Sequence, residues 1–167
     1  MKIIDSLLAE MDQEAGTTRR VLQNIPGDKL TWKPHEKSFS LGELSTHVAT
    51  IPSLIAQAAA PDTFDVSNFK QDKCNSKAEI LKALDTSLAK AHEILAPMDD
   101  AKLMAKWTLT VGGKPGLQMP RVAVLRAILL NHWYHHRGQL SVYLRLLNVP
   151  VPSIYGPSAD ENPFAPK

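Results

Sequence analysis

Apolar residues recur at intervals of three and four along four stretches of the chain, the spacing of helices that bury one face. In the first, residues 3–24, the stripe is Ile4, Leu7, Leu8, Met11, Ala15, Thr18 and Leu22, and Pro26-Gly27 ends it. Ser40 with Glu43 three residues on is a capping box, in which side chains take up the free amides of a helix start. It opens a second helix with the stripe Leu44, His47, Ile51, Leu54 and Ala58. Pro52 lies inside that helix, and its missing N–H predicts a kink at a cost of about 3 kcal/mol unless neighbours compensate. A further capping box, Ser76 with Glu79, opens a third helix, whose stripe of Ile80, Leu84, Leu88, Ala91 and Leu95 stops before Pro97. Pro120 suits the first turn of a fourth helix that runs to about residue 148, roughly 40 Å at 1.5 Å per residue. Its inward stripe is Val122, Leu125, Leu129, His132, His136, Leu140, Tyr143 and Leu147.

The pattern changes between the third and fourth helices. Trp107, Leu109 and Val111 alternate with Thr108 and Thr110 before Gly112-Gly113, a period of two that predicts a short strand or hairpin covering one end of the helices. The expected fold is therefore all-α, a four-helix bundle with long connections and a short β-hairpin before the fourth helix. It spans residues 1–148, and a proline-rich C-terminal tail, residues 149–167, packs on the same domain.

Composition narrows the class without changing that picture. At 167 residues the chain is one domain's worth of sequence, and 44% hydrophobic with 22% charged residues is ordinary for a globular protein. The net charge of +2 comes from scattered Lys and Arg, with Arg19 and Arg20 the one adjacent pair, so no nucleic-acid partner is expected. Asp5, Glu10, Asp12 and Glu14 near the start do not fit a secretory signal. The apolar run 122–130 is broken by Arg126 and falls short of the ~20 residues of a membrane span, so no membrane partner is expected. The single cysteine, Cys74, excludes an intrachain disulfide and fits a reducing, cytoplasmic location; it reads as an incidental loop thiol.

The chemistry lies in the histidines. His132 and His136 stand four apart on the inward stripe, so their rings lie one above the other and reach one ion, and His47 interrupts the apolar face of the second helix. A lone core histidine is more often bonded to a backbone carbonyl, but an adjacent pair is harder to satisfy without a metal. His135, about 60° to one side of His132, is expected at the bundle edge or behind the ligands. Gln139 and Tyr143 share the inward face and are candidates for the surroundings of the ion or a substrate pocket, while Arg137 points toward a neighbouring helix or the tail. His35 and His92 are given no functional role. Trp133 stands where a His-Glu-x-x-His peptidase has its glutamate, and neither Glu-x-x-His pairs nor Cys-x-x-Cys-His occur. What is left is one metal on three neutral nitrogens with an open position, the pattern of a catalytic site.

The run Asn131-His132-Trp133-Tyr134-His135-His136-Arg137-Gly138-Gln139-Leu140, then Tyr143-Leu144-Arg145 and the ending Pro152-Ser153-Ile154-Tyr155-Gly156-Pro157-Ser158-Ala159-Asp160-Glu161, resembles the DinB family (DinB/YfiT-like metalloenzymes). Leu41-Gly42-Glu43-Leu44 leading to His47 matches as well. The resemblance implies a usually dimeric four-helix bundle with nickel or zinc on three histidines, here His47, His132 and His136. It also implies chemistry on a low-molecular-weight thiol, as in bacillithiol, mycothiol or glutathione transferases and thiol-dependent isomerases. The leading expectation is a metal-dependent transferase that activates such a thiol cosubstrate for attack on an electrophilic small molecule. A metal-dependent hydrolase and a non-catalytic, stress-related metal-binding protein are the alternatives. Trp133, Tyr134 and Leu130, off the inner stripe, add an apolar patch that points to a homodimer.

Overall fold

The computed structural model describes residues 2–70 and 73–165; the final two residues of the tail lie outside the described residues. The elements are α1 (Ile3–Gln23), α2 (Leu41–Ala59), β1 (Thr63–Asp65), α3 (Lys77–Leu95), α4 (Asp100–Met104), β2 (Lys106–Val111), β3 (Lys114–Pro120), α5 (Arg121–Val124) and α6 (His132–Leu146). A π-helical stretch, Leu125–Asn131, joins α5 to α6. The chain is mostly helical, with α2 packed on α3 and α6, and α1 on α3 and α6. Among the described residues no helix is long and apolar enough to cross a membrane.

The all-α expectation needs correction, because a three-stranded sheet of order β1-β2-β3 is present. Its antiparallel β2-β3 hairpin is the one the alternation predicts, closed between Val111 and Lys114 by Gly112 (φ 56°) and Gly113 (φ 77°). Both φ values lie in the left-handed region, where a glycine pair suits a two-residue hairpin turn. β1 pairs in parallel with β2, Phe64 opposite Leu109. Three residues are too few to show a period of two, so the pattern did not reveal β1.

The helix starts follow the sequence closely. Ser40 Oγ accepts from the Glu43 N–H (3.2 Å) and the Glu43 carboxylate from the Ser40 N–H (2.7 Å). At α3, Ser76 Oγ accepts from the Glu79 N–H (3.1 Å), but the Glu79 carboxylate reaches one residue further back, to the Asn75 N–H (2.9 Å).

Pro52 is tolerated because other helices replace what it removes. The carbonyl that would have received its N–H is that of Val48, and the Trp133 indole N–H occupies it instead at 2.8 Å. Ser87 Oγ accepts from the Ser53 N–H (2.9 Å) and lies 3.2 Å from the Thr50 carbonyl, to which it donates. At the other end of α2, where carbonyls are exposed and carry partial negative charge, Arg121 donates to Ala59 (2.5 Å) and Pro61 (3.1 Å), and also to Lys102 (2.6 Å) at α4. Its side chain is fully buried there.

The fourth helical stretch departs from its predicted register. Leu125 and Leu130 are both buried, a five-residue step that suits the wider π turn, and the buried positions then continue at Trp133, Arg137, Leu140 and Leu144. His132, His136, Tyr143 and Leu147, expected in the core, lie one position round at half-buried sites. The same shift removes the sequence argument for an apolar dimer patch, since Leu130 and Trp133 are buried within the chain and half-buried Tyr134 bonds to Glu10 at 2.9 Å.

The described part of the tail lies against α1 and α6. Asp160 accepts from the Val151 N–H (2.9 Å) and pairs with Arg145, while Glu161 accepts from the Ser153 N–H (2.7 Å) and pairs with Arg20. Tyr155 bonds through its hydroxyl to both Arg137 (2.6 Å) and Glu14 (3.0 Å).

Candidate metal centre

Three imidazoles meet where α2 crosses the start of α6. His47 Nε2 lies 3.3 Å from His132 Nε2, which is 2.8 Å from His136 Nε2, and the ring centroids are 4.5 to 5.1 Å apart. The potential ligand atoms of all three lie within 4.8 Å of one another, so the group can hold a metal ion. Tetrahedral zinc–nitrogen bonds of about 2.0–2.1 Å place neighbouring nitrogens roughly 3.3 Å apart, close to the spacing here. Without an ion, one N–H would have to serve two neighbouring ring nitrogens; around a cation, three lone pairs converge. The donor set therefore fits a transition metal.

The surroundings favour the neutral, ligating form. His136 Nδ1 donates to Gln139 Oε1 at 2.7 Å, an assignment that turns the Nε2 lone pair toward the other rings. The pKa of His132 is lowered, chiefly by burial and then by repulsion from His136 and His135; the Ile128 carbonyl opposes this but stands too loosely for a full hydrogen bond to the buried Nδ1. His136 is lowered as well, by burial first and then by His135, against the opposing bond to Gln139. Both shifts keep the rings unprotonated near neutrality, as metal ligation requires.

Beside the cluster a cavity of about 290 Å³ opens, with His47 and His132 at its edge and Ile51, Leu54, Ile55, Phe64, Trp107 and Leu109 among its walls. The Trp107 indole N–H is tied to the Ala58 carbonyl at 2.9 Å, which fixes that wall on the end of α2. Phe64 and Leu109, paired across β1 and β2, are cavity residues that the sequence did not disclose, because the short strand that carries Phe64 shows no periodic signal.

The structure thus brings His47, His132 and His136 together, and it separates the other candidates by position. His135 is exposed, its ring edge-on to that of His136 at 5.0 Å and outside the group of three. Gln139 is exposed and orients His136. Tyr143 bonds to the Phe39 carbonyl (3.1 Å) and meets Trp32 edge-on at 5.6 Å, so it holds the segment before α2 rather than touching the cluster. Phe39 itself, unremarked in the sequence, places its ring 6.0 Å from His47. Elsewhere His35 accepts from the Lys37 N–H at 3.2 Å, His92 pairs with Asp12 at 2.6 Å, and half-buried Cys74 lies on the α2 side near Thr46.

A family model described as the DinB family matches residues 1–163. The uncharacterized protein YrdA of Bacillus subtilis is 26% identical over 165 residues, which cover 95% of this chain and 91% of YrdA. The crystal structure of the DinB-like protein YjoA from Bacillus subtilis matches with a TM-score of 0.70 at 22% identity, covering 89% of this chain and 96% of YjoA. A mycothiol-dependent maleylpyruvate isomerase shares the fold more distantly, with a TM-score of 0.50 at 9% identity over 90% of this chain and 65% of the isomerase.

Proposed function

This chain belongs to the DinB family, and we propose that it is a metal-dependent transferase that joins a low-molecular-weight thiol to an electrophilic small molecule. In this reading His47, His132 and His136 hold one divalent transition metal per chain, nickel or zinc. The observation that carries the reading is the convergence of three Nε2 atoms, at 3.3 and 2.8 Å, beside an apolar cavity that two of the three rings line. A thiol-dependent enzyme of the same fold, the mycothiol-dependent isomerase, favours a thiol over other cosubstrates.

A divalent metal bound there supplies a Lewis acid that lowers the pKa of a thiol, making thiolate available at neutral pH. The chain's own contribution is positional. Three neutral imidazoles leave the charge of a bound cation undiminished, and ligands drawn from only two helices leave one side open. Gln139 keeps His136 in the ligating tautomer. The cavity wall excludes water and so limits competing hydrolysis of the electrophile. The thiol proton passes to solvent, the sulfur–carbon bond forms, and the displaced group departs with the pair that bound it.

We read the long helical segments as a bundle over residues 1–148, with the tail 149–167 as part of the same domain. The proposal also places the protein in the cytoplasm, where small thiols are kept reduced, as a homodimer without nucleic-acid or membrane partners. The test is elemental analysis of the purified protein combined with a thiol panel against an electrophilic dye. About one ion per chain and a rate that requires both metal and thiol are expected. Turnover with water alone favours the hydrolase, and metal without turnover of any kind favours a binding protein.

A further inference from the structure

The cavity beside the histidines differs from most enzyme pockets in what its walls lack. Its lining comes from α2 (Ile51, Leu54, Ile55, Ala58), from the sheet (Phe64, Trp107, Leu109) and from the helical stretch above α6, and among the described residues it includes no charged side chain. The one indole N–H is already used on the Ala58 carbonyl. His47 and His132 line one side of it without presenting polar surface to it. Val66 and Phe69 line the cavity yet stay 39% and 38% exposed, so they form an apolar lip on its solvent side.

These walls discriminate between ligands. An apolar body gains about 25 cal/mol for each Å² it removes from water, whereas an anionic group set against the walls away from the histidines loses its hydration and meets no counter-charge. The volume of about 290 Å³ sits at the lower end of the ~300–1,000 Å³ typical of small-molecule sites, which suits one or two fused rings. The histidine cluster adjoins the cavity on one side, which sets an orientation with the ligand's reactive atom toward the histidines.

We propose that this cavity is the binding site for the electrophilic substrate, and that the substrate is a compact molecule with an apolar, uncharged body and its reactive end toward His47 and His132. The assignment rests on the transferase reading for the word electrophilic, but the selectivity for an uncharged body follows from the walls. The test uses the metal-loaded protein and the neutral fluorescent probe N-phenyl-1-naphthylamine, with displacement by 6-methyl-2-naphthoate or by 2,6-naphthalenedicarboxylate, which share a carboxylate able to face the cation and differ in charge at the far end. Saturable probe binding is expected, with the monoacid displacing the probe at least tenfold more effectively than the diacid. Leu54→Trp, which fills the cavity without adding charge, and Leu54→Lys, which adds one, should each weaken probe binding at least tenfold at unchanged metal content. Equal displacement by monoacid and diacid overturns the proposal, as does a probe affinity indifferent to both substitutions in a protein that keeps its metal. Probe binding that responds as predicted in a protein with no thiol-dependent turnover supports the cavity and overturns the transferase reading instead.

Discussion

Two polar pairs lie one position apart on α6 and have opposite fates. Arg137, one turn beyond Trp133, is 1% exposed, forms an ion pair with Glu14 at 2.5 Å, and donates to the Glu14 carbonyl (3.2 Å) and the Thr18 hydroxyl (3.1 Å). The rings of Tyr134 and Tyr155 flank its guanidinium, each with its centroid 5.2 Å away. His136, one turn beyond His132, instead faces two more groups of its own kind beside an apolar cavity. The first pair is closed, a cation with its counter-charge supplied by α1 and the tail. The second is open, a set of like donors that could share one ion. Burial of a polar group alone therefore does not mark a site; what marks it is that the neighbours offer more of the same chemistry rather than its complement.

The largest effect should come from breaking the open pair. His132→Ala or His136→Ala should reduce bound metal from about one ion per chain to none by elemental analysis, while the metal-free proteins melt close to the metal-free parent, since both rings are only half-buried. Full occupancy in the triple variant His47→Ala, His132→Ala, His136→Ala would show that the ion binds elsewhere.

The closed pair should respond in the reverse way. Arg137→Met leaves the Glu14 carboxylate buried without its partner, and such losses cost about 3–5 kcal/mol, read as a lower denaturant midpoint. Metal content per folded chain should not change. Glu14→Leu added to Arg137→Met should recover part of the loss, because the orphaned charge is then gone; a purely additive double variant would mean that the two do not act as a pair.

A pH series sharpens the contrast. His132 and His136 have lowered pKa values in the fold, so the unfolded chain binds more protons than the folded one as pH falls through the unfolded value near 6.5. Their contribution is thus complete above that value and is lost in mild acid, and a bound metal adds to the effect with the same sign. The melting-temperature gap between metal-loaded and chelator-treated protein should be wide at pH 8 and should close in mild acid. A gap that stays constant down to pH 4 would assign the ion to oxygen ligands.

The smallest effect concerns Trp133, on the closed face. Trp133→Phe keeps most of the apolar volume but returns the Val48 carbonyl to its unpaired state beside Pro52, and an unsatisfied buried acceptor costs about 1–3 kcal/mol. Thermal unfolding checks this, and an unchanged midpoint would mean that water reaches that carbonyl.

Much of the architecture was open to local reasoning. Capping boxes at Ser40 and Ser76, the prolines and the three-and-four spacing place the ends of three helices to within a residue or so, because these signals act between residues close in sequence. The Gly112-Gly113 hairpin was readable for the same reason. The three histidines were readable because two of them sit four apart and the third interrupts an apolar stripe. The sequence could not show which way the fourth helix faces. A π turn between Leu125 and Asn131 changes the angle per residue, so a register extrapolated from regular helix slips by one position beyond it. That slip moves His132 and His136 from the core to half-buried positions beside a cavity and puts Trp133 and Arg137 inside. Whether a polar residue is closed or open likewise depends on partners distant in sequence, Glu14 for Arg137, 123 residues away, and His47 for His132, 85 residues away. Residue identity and short-range spacing determined which groups were available to chemistry; packing between distant segments decided which of them met their complement and which met their own kind beside an apolar cavity.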